Sequence, residues 1–205
     1  MIEWITNLMN SMGYIAIVFL MFLENVFPPI PSELIMPLAG FTATQGKLTL
    51  IGVIIAGTIG SVLGALPLYY VGKVIGEEHL KAWADKNGKW LTVSRGDIGK
   101  SKDWFDKHGA VAVIIGRLVP GIRSLISVPA GIDQMNLGLF MLYSAIGAGV
   151  WSSLLAYLGF LLGGNYDKVE KYLSPASYVV LGIVVLVYIY RVIKQHRQET
   201  KPANG

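Results

Sequence analysis

The sequence predicts an all-α, polytopic membrane protein. It is expected to hold two inverted-topology repeats, each a re-entrant helical hairpin plus a transmembrane helix, and then a C-terminal transmembrane helix. Three observations predict this: charge is scarce, the charges it has are clustered, and the chain repeats itself around proline breaks. Of 205 residues, 53% are hydrophobic and 15% charged, where a soluble domain carries about 25% charged residues. The mean hydropathy is +0.54. These values exclude an ordinary soluble enzyme and a disordered chain. The absence of cysteine removes disulfides, thiolate nucleophiles and cysteine metal sites.

Residues 4–23, 48–72, 134–166 and 172–190 contain no Asp, Glu, Lys or Arg. Each is near or above the roughly 20 residues that span a bilayer. Between the second and third lies 73–108, with eight basic and six acidic residues, and the tail after Tyr190 is basic. The positive-inside bias therefore places this connector and the C-terminus in the cytoplasm. The net charge of +4 is explained by topology, and no nucleic-acid partner is expected. The N-terminal run reads as a membrane arm rather than a cleaved signal, since no basic residue precedes Lys47. Trp83, Trp90 and Trp104 in the connector suit helices at the membrane interface.

The repeat sets the boundaries. Gly60, Tyr70, Gly72 and Gly76 recur as Gly147, Tyr157, Gly159 and Gly163. Upstream, Pro37-Leu38-Ala39-Gly40 resembles the stretch through Pro129-Ala130-Gly131, and Gly13 to Val18 resembles Gly109 to Ile114. The expected organisation is one membrane domain over 1–200: first repeat 11–76, cytoplasmic connector 77–107, second repeat 108–164 and C-terminal transmembrane helix 174–192. A cytoplasmic tail, 193–205, follows.

Prolines break each apolar arm, at Pro28 and Pro31 in the first repeat and at Pro120, Gly121 and Pro129 in the second. A broken backbone in lipid leaves unbonded carbonyls, so these segments must be buried in protein or line a wet cavity. A re-entrant hairpin satisfies that. Each unit then crosses the membrane once, which gives the second the opposite orientation, as in many secondary transporters. The glycines at four-residue spacing are expected to be packing positions. Tyr70 and Tyr157 are interface aromatics or hydroxyls facing a cavity.

Four charges lie inside the hairpins: Glu24 and Glu33 in the first, Arg117 and Arg123 in the second. Unpaired at the bilayer centre they would cost on the order of 10 kcal/mol together. Arginine presents a rigid donor fork that matches phosphate oxygens, and a carboxylate in low dielectric can take up a proton near neutral pH. Arg117 and Arg123, with Tyr70 and Tyr157, are the candidate substrate-binding residues, and Glu24 and Glu33 the candidate proton-coupling pair. The bland alternative is a Glu–Arg network that only staples the hairpins. Asp133, at the second hairpin's exit, is a helix cap or a further proton site.

The stretches Glu24-x3-Pro28-x2-Pro31-x-Glu33 and Gly116-Arg117-x2-Pro120-Gly121-x-Arg123-x5-Pro129-Ala130-Gly131 resemble the DedA family, also called the VTT or SNARE-associated-domain family. The spaced glycines with Tyr70 resemble a third signature of that family, although Lys73 stands where arginine is frequent. The resemblance runs from Gly13 to Gly164. It implies a multi-pass protein of the cytoplasmic membrane with two opposed re-entrant hairpins, serving envelope maintenance and coupled to the proton-motive force. By motif position it places the family's important acidic and arginine residues on Glu24, Glu33, Arg117 and Arg123.

The function expected is a lipid transporter or flippase moving undecaprenyl phosphate or a related anionic lipid, with protons as coupling partner. The alternatives are a phosphatidylethanolamine flippase or scramblase and a proton-coupled transporter of small ions or drugs. No cofactor or metal is expected, and a homo-oligomer is allowed. A lipid phosphatase would need a histidine nucleophile or metal ligands. His79, His108 and His196 all lie outside the hairpins, so an enzyme is not expected.

Overall fold

Two long apolar helices form the frame. The computed structural model describes residues 2–26, 32–91, 95–119 and 123–163, and within them the chain is helical with no strand. Pro28, Pro31, Pro120 and Gly121 lie outside the described residues, as do the expected C-terminal helix 174–192 and tail 193–205. The helices are α1 (Ile2–Met12), α2 (Tyr14–Val26), α3 (Ser32–Thr44), α4 (Leu50–Leu91), α5 (Arg95–His108), α6 (Val111–Leu118), α7 (Ser127–Ile132) and α8 (Leu137–Leu162).

Among the described residues two apolar stretches are long enough to cross a membrane: Leu50–His79 in α4 and the 26-residue α8. At 1.5 Å per residue α8 is about 39 Å long, against a hydrocarbon core of about 30 Å. The arms between them are shorter. By the same rise α2 and α3, 13 residues each, reach about 20 Å, and the eight-residue α6 about 12 Å. None of these arms could cross alone. Helix α4 runs well past the expected end of the first span, but it breaks at Gly76 (φ 74°, ψ 170°). That left-handed backbone favours glycine, and it puts the bend at the last residue of the first repeat motif.

The faces turned outward are apolar. Ile51, Ile55, Ile59 and Leu63 make an exposed ridge along α4, and Leu142, Ile146, Val150, Leu154 and Leu158 make another along α8. Both ridges have the four-residue spacing of one helix face. Their continuous apolar surface fits lipid and not water.

The packing comes in matching pairs. Within the first repeat α2 lies on α4, and within the second α6 lies on α8. The second arms cross over: α3 packs on α8, and α7 packs on α4. Glycines make both crossings possible. A Cβ added at Gly40 in α3 would strike the Ala156 carbonyl of α8, and one added at Gly159 in α8 would strike the Pro37 carbonyl of α3. In the other crossing Gly131 meets the Tyr69 carbonyl and Gly72 meets the Val128 carbonyl. These are the same contacts between repeat-equivalent positions. Likewise Gly60 abuts Val18, and Gly147 abuts Ile114. Gly60, Gly64 and Gly72 are thus close-packing positions, whereas Gly76 faces open space and serves the bend.

The connector docks through α5. Phe105 is buried in a core with Tyr69, Ala112, Val113, Ile126, Ala130 and Phe140, and Trp104 packs partly buried against it. The side chains of Trp83 and Trp90 lie outside those described. Tyr69 stacks on Phe140 and donates to the Met135 carbonyl at 2.5 Å. Helix α8 is capped by Asn136, whose side chain accepts from the Gly138 and Leu139 amides. Asp133 instead takes Lys102 of α5 at 2.5 Å, while Lys102 also bonds Asp106 one turn on.

Burial opposes the charge of Lys102, but its hydrogen bonds to Asp106 and Asp133 outweigh this and raise its pKa. The Lys102 hydrogen bond lowers the pKa of Asp106. A raised lysine contributes fully below its unfolded value and is lost only as pH rises through the folded one. A lowered aspartate contributes above its unfolded value and is lost only as pH falls through the folded one. The Lys102–Asp106 pair is therefore intact from about pH 5 to about pH 9. Hydrogen-exchange protection of α5 should be flat across that window, and Lys102→Met should lower it several-fold at every pH within it.

Candidate functional site

The ends of the short helices meet at one polar cluster. Glu24 and Asn25 end α2, Ser32 and Glu33 begin α3, Arg117 ends α6, Arg123 and Ser124 lie in the turn that follows, and Ser127 begins α7. Helix α4 adds Ser61, and α8 adds Ser144 and Trp151. The short arms deliver these groups to the interior because they end there. A continuous helix would carry them past it.

Arg123 forms an ion pair with Glu24, Nη2 to Oε2. Its Nη1 donates to Ser32 Oγ at 2.6 Å, and the Trp151 indole donates to the same hydroxyl at 3.4 Å. These contacts tie α2, α3, α8 and the turn before α7 together. Arg117 is the largest fully buried side chain, at 2% exposure. It is held differently: Nη1 donates to Asn25 Oδ1 at 3.1 Å, and Nη2 donates to Ser127 Oγ at 3.1 Å and Ser144 Oγ at 3.4 Å. Each of these acceptors is neutral, and among the described residues Arg117 has no ion pair. Its Nε is buried without a partner, as is Ser152 Oγ.

Asn25 joins the two arginine environments. Its amide nitrogen donates to Glu24 Oε2 at 3.2 Å, Ser61 Oγ at 3.3 Å and the Met21 carbonyl at 3.1 Å. That leaves its carbonyl oxygen for Arg117 and, at 3.5 Å, for the Ser124 hydroxyl. Glu33 is partly exposed and within electrostatic reach of Glu24, with no hydrogen bond or ion pair among the described residues. Pro37, inside α3, has no N–H to give the Glu33 carbonyl four residues back.

Glu24, Arg117 and Arg123 are thus brought into one cluster, with Glu33 at its margin. The pairing crosses between the repeats, with Glu24 of the first on Arg123 of the second. Tyr70 and Tyr157 are elsewhere, 46% and 52% exposed, and no hydrogen bond joins either to the charges. Pro129 is buried within α7. Sequence reasoning passed over Asn25 and the serines. A signal existed in both cases: Asn25 is a second polar residue beside Glu24 in an apolar arm, and Ser144 and Ser152 lie eight apart on the buried face of α8. Serine is common enough in membrane helices that this spacing singles out nothing by itself.

A model of the VTT domain matches residues 30–161, the stretch from the first bend to the end of α8. The chain belongs to the VTT-domain family, the DedA family. Members similar to it include an "Alkaline phosphatase-like protein" of Lactococcus lactis subsp. lactis, 41% identical over 203 residues that cover 98% of this chain and 95% of the relative. "Undecaprenyl phosphate transporter A" of Staphylococcus aureus is 36% identical over 190 residues, covering 93% and 94%. "Protein DedA" of Escherichia coli is 26% identical over 194 residues, covering 92% and 86%. No solved structure matches the chain significantly. Membership and the apolar helices make this a membrane protein of a transporter-type family.

Proposed function

We propose that the protein moves a lipid phosphate, undecaprenyl phosphate or a related anionic lipid, across the cytoplasmic membrane for envelope maintenance. One observation carries this reading: two buried guanidiniums share one polar network, and only Arg123 has a carboxylate, Glu24, in ion contact. A closed staple would pair both guanidiniums. Among the described residues Arg117 has only neutral acceptors, and in a low-dielectric setting an anionic headgroup is its natural complement. The relative named for undecaprenyl phosphate transport supports the choice of lipid.

In this reading the two helix pairs are re-entrant hairpins of opposite orientation, and the matched crossings of α3 on α8 and α7 on α4 support such an arrangement. The connector and C-terminus face the cytoplasm. The cluster takes the headgroup, and Glu24 and Glu33 exchange the coupling proton. The lipid tail stays in the bilayer, along outer surfaces where Tyr70 and Tyr157 stand exposed. The protein acts as a carrier and not an enzyme. His79, past the bend in α4, and His108, on α5, are both exposed, unlike the buried charges.

The test is purified protein in liposomes with a fluorescent polyprenyl phosphate. Wild-type protein should carry the label between leaflets, faster with an imposed proton gradient. Arg117→Ala and Arg123→Ala should each slow transfer by about 100-fold. Unchanged transfer in both variants would refute the reading.

A further inference from the structure

We propose that the two buried arginines have different tasks. Arg117, with Ser127 and Ser144, seats the anionic headgroup, and Asn25 is the positioning residue that keeps the Arg117 charge uncompensated. Arg123 with Glu24 forms the closure over that seat. This division rests on the transport reading above.

The contrast lies in the partners. Arg123 already has its anion in Glu24. Arg117 has the oxygens of one amide and two hydroxyls, and a buried Nε that bonds nothing. A guanidinium taken out of water without a counter-charge is costly. An aspartate at position 25 would set a carboxylate oxygen 3.1 Å from Arg117 Nη1, but its second oxygen would face Glu24 and the Met21 carbonyl, to which only the amide nitrogen can donate. The amide serves those neighbours and forgoes the ion pair. Within the bonded network, which Asn25 joins, Arg117, Arg123 and Glu24 sum to +1, with the Glu33 carboxylate at its margin.

Asn25 is also fixed in orientation. Its nitrogen is surrounded by three oxygens, from Glu24, Ser61 and Met21, so its oxygen must face Arg117. Ser127 and Ser144 each accept from Arg117 and keep a hydroxyl proton to donate. Arg117 Nε and the two hydroxyls thus offer donors to one incoming group and present it with no carboxylate of their own. Access requires the helix ends that carry these groups to part, since Arg117 is 2% exposed. The contacts that hold them together are those of Arg123 to Glu24 and Ser32.

The proposal predicts an order of variants opposite to that of a merely structural asparagine. Purified protein in detergent micelles is titrated with farnesyl phosphate, a short prenyl phosphate, or with farnesol as neutral control, and thermal unfolding is followed. Wild-type protein should be stabilised by farnesyl phosphate and not by farnesol. Asn25→Ser, which leaves Arg117 uncompensated, should bind within about threefold of wild type, while Asn25→Asp, which neutralises it, should bind at least about tenfold more weakly. Ser144→Asp brings a carboxylate to Arg117 from α8, away from Glu24, and should give the same loss; it decides the matter if Asn25→Asp does not fold.

Wild-type-like binding by either aspartate variant would overturn the division of tasks, and so would Asn25→Ser losing binding as fully as Asn25→Asp. A wild-type protein stabilised no more by farnesyl phosphate than by farnesol would overturn the transport reading itself, and the seat with it.

Discussion

Glu24→Gln is expected to destabilise the fold by about 3–5 kcal/mol, because it leaves Arg123 buried without its counter-charge. Arg123 is 6% exposed, so water cannot take the carboxylate's place. The double variant Glu24→Gln, Arg123→Met should recover most of that loss, since removing both members of a buried pair is often close to neutral. Thermal unfolding of all three variants in one detergent measures the difference, and a double-mutant cycle isolates the pair. Transport should be lost in single and double variants alike, which separates what the pair does for the fold from what its members do for the lipid. A single-variant cost below about 1 kcal/mol, the range of an exposed pair, would mean that Glu24 is not the counter-ion of Arg123.

The second large effect is steric. Gly131→Ala should destabilise by about 3 kcal/mol or more, since its methyl would lie on the Tyr69 backbone carbonyl and no flexible side chain can give way. Gly40→Ala should cost a similar amount for the equivalent reason, a collision with the Ala156 carbonyl. Gly149→Ala is the control. Its added methyl would approach nothing closer than the Thr58 hydroxyl at 3.6 Å, and the change should stay within about 0.5 kcal/mol or stabilise α8 slightly. Melting temperatures of the three variants, with recovery of monodisperse protein, check the ranking. If Gly131→Ala and Gly40→Ala differed widely, the two crossings would not be mechanically equivalent.

The frame was legible in the sequence because it follows from period and charge. Runs free of charge predicted α4 and α8, and the alignment of Gly40 with Gly131 and Gly72 with Gly159 predicted which glycines do the same work. The crossing itself was not legible. Nothing in the local pattern says that Gly40 meets α8 rather than α4, because a glycine accepts any close neighbour. The four charges were visible because ionised groups are rare in apolar arms. Their pairing was not, because partners 99 or 92 residues apart leave no local signal: Glu24 with Arg123, and Asn25 with Arg117. Asn25 was the costliest omission. An amide carries no charge to draw attention, yet here it sets the net charge of the cluster.

The exchange of arms also bears on how the chain is made. Helix α3 is buried almost throughout, from Ser32 to Ala43 apart from Glu33, and much of its cover is α8. At ordinary rates of synthesis, the interval between making Thr44 and making Leu162 is on the order of ten seconds. For that time α2 can settle on α4, but α3 lacks its main partner and must be sheltered by lipid or by the insertion machinery. The core is completed late, when α8 arrives to receive α3 and α7 settles on α4. A chain halted in the connector would hold every residue of the first repeat and still lack the surface that buries α3.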